Sequence, residues 1–519
     1  MVANTMVKYW SIGNKILKRR FRVITVSTLA LTASALANTP LDGFDTFLEG
    51  AREDWSVPGV AVAVVKDDEV VYIGGHGVRH VGEPGKVDEN TIFQLASVSK
   101  TFTAASLGAL VDEGKLGWDD AVVSHLPGFE LYDPYATMNA TVRDLLAHRT
   151  GLPAFTGDLL GEMGYDREEV LARARYLTPQ GTFRETANYS NVGFLTAGMV
   201  AEKVTSSAWE EVVRTKFFEP LGMTRSGFGL VSLEGTNVSA NHADRPGEPV
   251  RAVPPDDSDV FAPAGGVTST AHDLAQWMRM LLAEGQFNDT QVLQAATVQE
   301  MFTPAMVSQP SFSETAPIGA DTGFDYTLGW AAYYYKGHKV IEKGGALSGV
   351  RTVIVLVPDQ KLGVAVLANL NLTMLPEAVR AHVLEAYLGA SGRDLQGEIK
   401  AQHAALLSGF FAPPEPTTDP GEPTRPLAAY AGVFENDLYG RLAVLQNDKG
   451  LVMKAGPACL EGSLRHDSYD TFELKWPGET TLPEPLTFTL DTSGRAESFQ
   501  TEAYGRFARV QATNGDCQL

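Results

Sequence analysis

Ser97 and Lys100 stand three residues apart, where an apolar helical pattern begins that runs to about Lys115. On a helix, residues three apart lie on one face. A serine at a helix N-terminus sits beside the positive end of the macrodipole and among free backbone N–H groups. A lysine one turn later, once desolvated, can drop well below its reference pKa of ~10.4 and serve as a base. The two form a nucleophile–base pair that needs neither histidine nor metal. The plainer alternative is an N-cap serine and a solvated lysine, so the pair has to be weighed with the rest of the chain.

Two other stretches carry matching chemistry. In Asn188-Tyr189-Ser190-Asn191, ahead of the apolar run 194–204, Tyr189 and Asn191 can face one cleft. A tyrosine beside two ammonium groups could lose its proton well below ~10 and accept one from a serine. In Glu342-Lys343-Gly344-Gly345-Ala346, at the end of a strand, the glycines allow a ligand close to the backbone. Lys343 offers a point cation for a carboxylate. The Ala346 N–H could complete an oxyanion hole with that of Ser97. Read singly, the first stretch is a packed tyrosine with a turn asparagine, and the second a glycine turn after a strand. His148 reads as structural, His272 as lying inside a capped helix, and Ser99 as packed or capping. There is no Gly-x-Ser-x-Gly elbow, no His-Glu-x-x-His and no zinc spacing, so neither a metal nor a cofactor is expected.

The elements that must position these residues follow from periodicity. A helix is predicted over 41–51, then a strand at 59–65, a turn at 66–69 and a returning strand at 70–73. A mostly helical stretch covers about 97–300. Strands return as two hairpins, 329–335 with 338–343 and 352–357 with 362–369, and helices follow at 376–388 and about 393–408. Strands at both ends with helices between imply an α+β fold, an α/β sandwich. Its antiparallel sheet is built from both ends of a domain spanning 38–410, with a helical insertion. The segment 411–426 holds six prolines and reads as an extended linker. Beyond it, 427–519 alternates in short strands at 441–445, 450–454, 471–476, 486–490 and 497–501, the last two joined by Asp491-Thr-Ser-Gly494. That pattern implies a small antiparallel sheet or barrel without a catalytic constellation.

The net charge of -21 argues against nucleic-acid binding. Residues 1–37 read as a signal peptide. They hold basic residues up to Arg22, an apolar run over 23–36 too short for a confident membrane span, and Ala35-Leu36-Ala37 as the cleavage pattern. An uncleaved anchor is the alternative. Cleavage after Ala37 would make the mature protein periplasmic or secreted, with no stable membrane span. In such a compartment Cys459 and Cys517 could pair or stay free, and spacing does not decide between these.

Taken in order, the three stretches resemble the serine β-lactamase and penicillin-binding-protein superfamily. Within it they are most similar to the class C β-lactamase-like branch, which also holds D-alanyl-D-alanine carboxypeptidases, D-amino-acid peptidases and short-chain esterases. The segments 93–104, Thr141-Val-Arg-Asp-Leu-Leu-Ala-His-Arg-Thr-Gly-Leu-Pro153 and 263–275 resemble further blocks of that family, and Thr270 to Asp273 also reads as a capping box. The resemblance covers about 42–390. The C-terminal unit resembles, more weakly, a small lipocalin-like β-domain often appended to this branch.

The resemblance implies an acyl-enzyme on Ser97, with Lys100 and Tyr189 sharing the general-base role. It implies that Asn191 holds Lys100 and the substrate amide, that Lys343 with Gly344 and Gly345 binds substrate, and that the Ser97 and Ala346 amides form the oxyanion hole. Gly344 stands where Lys-Thr-Gly relatives carry a hydroxyl, which weakens carboxylate recognition. Peptidase, amidase or short-chain esterase activity therefore ranks above β-lactamase or carboxypeptidase activity. The rival class is a penicillin-binding sensor that keeps its adduct; deacylation separates it from an enzyme. The expected partner is a small-molecule, peptide or ester substrate. The C-terminal unit could cover the cleft or join copies of the chain into a homo-oligomer.

Overall fold

The sheet at the centre of the N-terminal part grows from strands too apolar to face water on either side. In the computed structural model, which describes residues 40–307, 318–321, 323–411, 421–479 and 481–517, β1 (Gly59–Lys66) pairs with β2 (Glu69–Gly77). The other strands come from beyond the helical insertion. They are β3 (Met306–Val307), β4 (Asp325–Tyr326), β5 (Ala331–Tyr335), β6 (His338–Leu347), β7 (Val350–Val357) and β8 (Leu362–Ala368). Among the described residues the order is β3-β4-β5-β6-β7-β8-β1-β2, antiparallel where strands pair, with Val60 opposite Ala368. The sheet is thus made from both ends of the domain, as the sequence implies.

Residues along β1, β7 and β8 are buried, so both faces must be covered. Helix α4 (Ala271–Leu282) packs on β1 and β8, where a Cβ at Gly363 would come 3.0 Å from the Met278 sulfur. Helices α1 (Phe44–Asp54) and α5 (Leu375–Leu388) pack on the sheet and on each other. Helix α2 (Ser99–Asp112) has buried side chains on nearly every turn and stacks Phe102 on Trp277 of α4, ring centroids 4.3 Å apart. A helix apolar all round has to be central. Helix α3 (Asn191–Thr205) lies beside it.

Several boundaries differ from expectation. The first helix starts at Phe44 rather than 41, because Gly43 at its N-cap is left-handed, at φ 79°. The Thr270–Asp273 box forms only by half. The Thr270 hydroxyl accepts from the Asp273 amide, while the Asp273 carboxylate turns to the Arg225 amide and the Ser226 hydroxyl. A reciprocal box forms instead at Thr141 and Asp144.

Helix α6 (Leu395–Phe410) ends at the proline-rich segment. Residues 412–420 of that linker, like residues 1–37, which the sequence reads as a signal peptide, lie outside the described residues. Where the chain is described again, the Thr424 hydroxyl donates to Asp470, so the end of the segment is tied to the C-terminal unit.

That unit is a closed antiparallel barrel of β9 (Gly432–Asn436), β10 (Gly440–Asn447), β11 (Gly450–Ala455), β12 (Leu460–Ser468), β13 (Thr471–Lys475), β14 (Glu484–Leu490), β15 (Ala496–Thr501) and β16 (Gly505–Val510). Closure removes the exposed edges an open sheet would leave. Phe434, Phe472, Phe488, Phe499 and Phe507 are all buried in it. Cys459, in the turn after β11, is joined to Cys517 by a disulfide with Cα atoms 5.6 Å apart. The barrel and the part that precedes it belong to one compact unit, Gly43–Leu519.

Candidate active site

Ser97 lies in a 3₁₀ turn, Ala96–Val98, just ahead of α2 rather than inside a helix. Ala96 has a left-handed backbone, at φ 51°, a conformation that costs a non-glycine residue on the order of 1 kcal/mol. His148 and Phe155 share that conformation, at φ 55° and 56°, and both lie against Tyr189. Three of the chain's left-handed non-glycine residues thus border this site.

Lys100, one turn along, is wholly buried. Its Nζ is 3.1 Å from the Ser97 Oγ, 2.7 Å from the Asn191 Oδ1 and 2.8 Å from the Ala264 carbonyl oxygen. The block 263–275, read from the sequence as a matching stretch with a helix cap, also serves the site. Its short helix Ala262–Gly265 presents the Ala264 carbonyl to Lys100, and the Pro263 carbonyl accepts from Thr103 at 2.6 Å. Ser99 is packed, as expected, its Oγ accepting from the Val267 amide at 2.9 Å.

Asn191 opens α3, capped by Ser190, whose Oγ accepts from the Gly193 amide. Asn191 holds Lys100 as expected, but its Nδ2 does not wait for substrate. It donates to Asp158 Oδ2 at 2.7 Å. Burial pushes the Asp158 carboxyl up to about 6, against the opposing pull of the Asn191 bond and the Lys100 charge.

The Tyr189 ring stands between two lysines, each Nζ 4.7 Å from its centroid, Lys100 from one block and Lys343 from another. His148 and Phe155 frame the ring, centroids at 4.4 Å and 5.1 Å. His148 Nδ1 accepts from the Ser190 amide at 3.1 Å, which places the imidazole proton on Nε2, facing the Tyr326 hydroxyl at 3.0 Å. Burial, and then the charges of Lys343 and Lys100, hold the His148 pKa well below the usual histidine range, so the ring is neutral. The His148 ring packs on Tyr189 and bonds to Tyr326.

Lys343 departs most from expectation. It is 1% exposed and donates to the Tyr326 hydroxyl at 2.9 Å, so it lies under the site rather than at its rim. Gly345 is also explained by packing. A Cβ there would fall 2.3 Å from the Leu95 carbonyl oxygen and 3.1 Å from the Ala96 Cβ, so glycine lets β6 lie directly against the Ser97 turn. Gly344 is partly exposed and Ala346 exposed, at the stretch of β6 that runs beyond its pairing with β5. This brings the Ala346 segment beside the Ser97 turn. A separate cavity of about 190 Å³ bounded by Leu131, Tyr135, Thr150, Leu177 and Phe183 includes none of these residues. Among the described residues no cluster of His, Cys, Asp and Glu could hold a metal ion, and no helix is long and apolar enough to cross a membrane.

Comparison with known proteins agrees with the geometry. The beta-lactamase family model matches residues 44–388, and a domain of unknown function, DUF3471, matches 417–514. The unguisins hydrolase of Aspergillus violaceofuscus is 27% identical over 450 residues, 79% of this chain and 77% of its own. Penicillin-binding protein 4 of Amycolatopsis lactamdurans is 29% identical over 398 residues, 75% of this chain and 96% of its own. The octameric penicillin-binding protein homologue from Pyrococcus abyssi, at 22% identity, superposes with a TM-score of 0.60 over 90% of this chain and 100% of its own, a likeness of fold. With one family model covering well over half of the sequence, the chain belongs to the beta-lactamase family as a serine hydrolase with an appended C-terminal barrel.

Proposed function

We propose that the protein hydrolyses amides, peptides or short-chain esters through an acyl-enzyme on Ser97. The observation that carries this is the set of partners around Lys100. The Ala264 carbonyl and the Asn191 Oδ1 each accept an N–H of Lys100. The same Nζ lies 3.1 Å from the Ser97 Oγ, close enough to exchange a proton with it directly. Lys100, with Tyr189 beside it, takes the Ser97 proton as Oγ attacks the substrate carbonyl carbon. The tetrahedral oxyanion is held by the Ser97 and Ala346 amides. Its collapse breaks the bond to the leaving amine or alcohol, which receives the proton, and water then releases the acid from Ser97.

Lys343 favours amides and esters over β-lactams here. It is buried and bonded to Tyr326, and Gly344 supplies no hydroxyl, so the carboxylate clamp of Lys-Thr-Gly relatives is incomplete. Intact-protein mass spectrometry, run in parallel with a D-amino-acid anilide, a p-nitrophenyl ester and a penicillin, tests this. Turnover of the anilide or ester, lost in Ser97→Ala, is the expected result. Turnover by Ser97→Ala at the parental rate overturns the nucleophile. Fast penicillin loss would make the enzyme a β-lactamase, and a lasting penicilloyl adduct without turnover would make it a sensor. Export is part of the same proposal: a secreted chain should begin at Asn38. Self-association through the barrel would appear as a multiple of the chain mass in solution.

A further inference from the structure

The barrel holds one short segment that borders the active site. The helix Leu159–Glu162 closes one end of the barrel. Leu159 and Met163 line the same apolar pocket as Tyr439, Met453, Trp476 and Phe507. Polar contacts hold it there. The Tyr165 hydroxyl donates to the Tyr439 carbonyl at 3.0 Å, the Ala458 amide to the Met163 carbonyl at 2.9 Å, and Arg173 to the Leu438 carbonyl at 2.9 Å. The Tyr439 hydroxyl faces the Gly157 amide. Both chain neighbours of Asp158, Gly157 and Leu159, are therefore held by the barrel.

Asp158 points the other way. Its Oδ2 accepts from the Asn191 Nδ2 at 2.7 Å, and its Oδ1 is buried with no hydrogen-bond partner among the described residues. A side-chain amide has two orientations of nearly equal shape. In one, Asn191 turns its oxygen to Lys100; in the other it turns its NH₂ there, and two donors meet. An acceptor on the far side selects the first. Leaving it out costs the full penalty of an unpaired buried donor.

We propose that Asp158 is a positioning residue that sets the Asn191 amide toward Lys100, and that the barrel acts on catalysis by holding Asp158. This rests on the acyl-enzyme function of Ser97. The pairing joins residues 33 apart in sequence, across a segment that neither catalytic block contains.

The test is steady-state hydrolysis of a p-nitrophenyl ester by the full chain, with Asp158→Ala, Asp158→Asn, Leu159→Gln and the double variant Asp158→Ala/Leu159→Gln. Asp158→Ala should lower kcat by about 10- to 100-fold, the scale of a small misplacement of a catalytic group, with KM changed less than about threefold. Asp158→Asn should recover most of that loss, because its amide oxygen can still accept from Asn191. Leu159→Gln, which puts a polar group into the barrel end, should lower kcat in the same way. The double variant should be no worse than the worse single one, since both changes act through one contact.

Parental kcat in Asp158→Ala overturns the proposal, and so does equal loss in the Ala and Asn variants. Additive losses overturn the barrel's part in it. Tyr165→Phe replaces Leu159→Gln if the latter does not fold. Ser97→Ala separates the two levels. If it retains ester turnover, the acyl-enzyme function has failed. If it is inactive while Asp158→Ala matches the parent, only the positioning role has failed.

Discussion

Two antiparallel β-structures in this chain bury their interiors in opposite ways. The open sheet of the N-terminal part and the helices on it bury Lys100, Lys343, Arg351, Arg380, Asp144 and Glu377. Among the described residues the barrel strands bury no charged residue, and the Asp516 carboxylate beyond them, 6% exposed, is paired with Arg441. The barrel's buried polar residues are Ser498 and Thr501, and the rest of its interior is apolar or aromatic. Burying a charge costs several kcal/mol unless it is paired, and a paired charge seldom recovers more than that cost. Arg351 pairs with Glu377, and Arg380 with Glu342 at 2.8 Å. Lys100 bonds a hydroxyl, an amide and a carbonyl. The contrast teaches where the chain gives up stability for chemistry and where it only packs.

Replacing Lys100 with Met is the sharpest way to test that contrast. Activity should fall by at least about 10³-fold, while stability should stay level or rise, as when an apolar residue of similar volume replaces a buried ion. Thermal melting together with ester hydrolysis checks both. A large loss of stability would mean that Lys100 is structural. The opposite change belongs to the barrel. Phe488→Ala should cost about 3–5 kcal/mol as an aromatic truncation in a core. Phe488 is not among the residues around Leu159 and Met163, so kcat should hold at temperatures below the barrel's transition. A matching fall in kcat would show that the two halves are coupled more widely than through that segment.

Cys517→Ser should cost the barrel about 2–5 kcal/mol, because the bridge closes a chain separation of 58 residues. Urea unfolding with and without reductant measures this. The smallest effect is one of pH. The folded Asp158 carboxyl sits at about 6, above its ordinary 3.8. Between these values the folded state holds more protons than the unfolded state, so this residue's contribution to stability falls as pH rises from about 4 to 6. Asp158→Asn should flatten that part of the curve. Identical melting profiles for the two proteins over that range would remove the effect.

How much was legible beforehand differs between the halves in the same way. The hairpin 352–357 with 362–369 joins two strongly apolar runs at a Pro-Asp turn and forms within two residues of the expected bounds, whereas the more polar 338–343 extends on to Leu347. In the barrel, five strands are visible by alternation. Gly432–Asn436, Leu460–Ser468 and Gly505–Val510 are not. Leu460–Ser468 turns Gly462 and Leu464 inward, and Gly505–Val510 turns in Phe507, so each carries too few apolar side chains to stand out. Closure of the barrel, rather than local pattern, makes them strands.

Ser97, Lys100, Tyr189 and Asn191 could be picked out because each lies in a short motif with a spacing of its own. Asp158 has no motif. Tyr326 meets His148 across 178 residues of sequence. Lys343 reads as a point cation for a carboxylate, and only the fold shows Tyr189 and Tyr326 packed over it. By itself the sequence determined the periodic elements, the order of the blocks and the residue types able to do the chemistry, because these depend on neighbours a few positions away. Only the tertiary structure decided which of those residues are buried, which way the Asn191 amide faces and what holds it there. Desolvation and hydrogen-bond direction belong to groups brought together from distant parts of the chain.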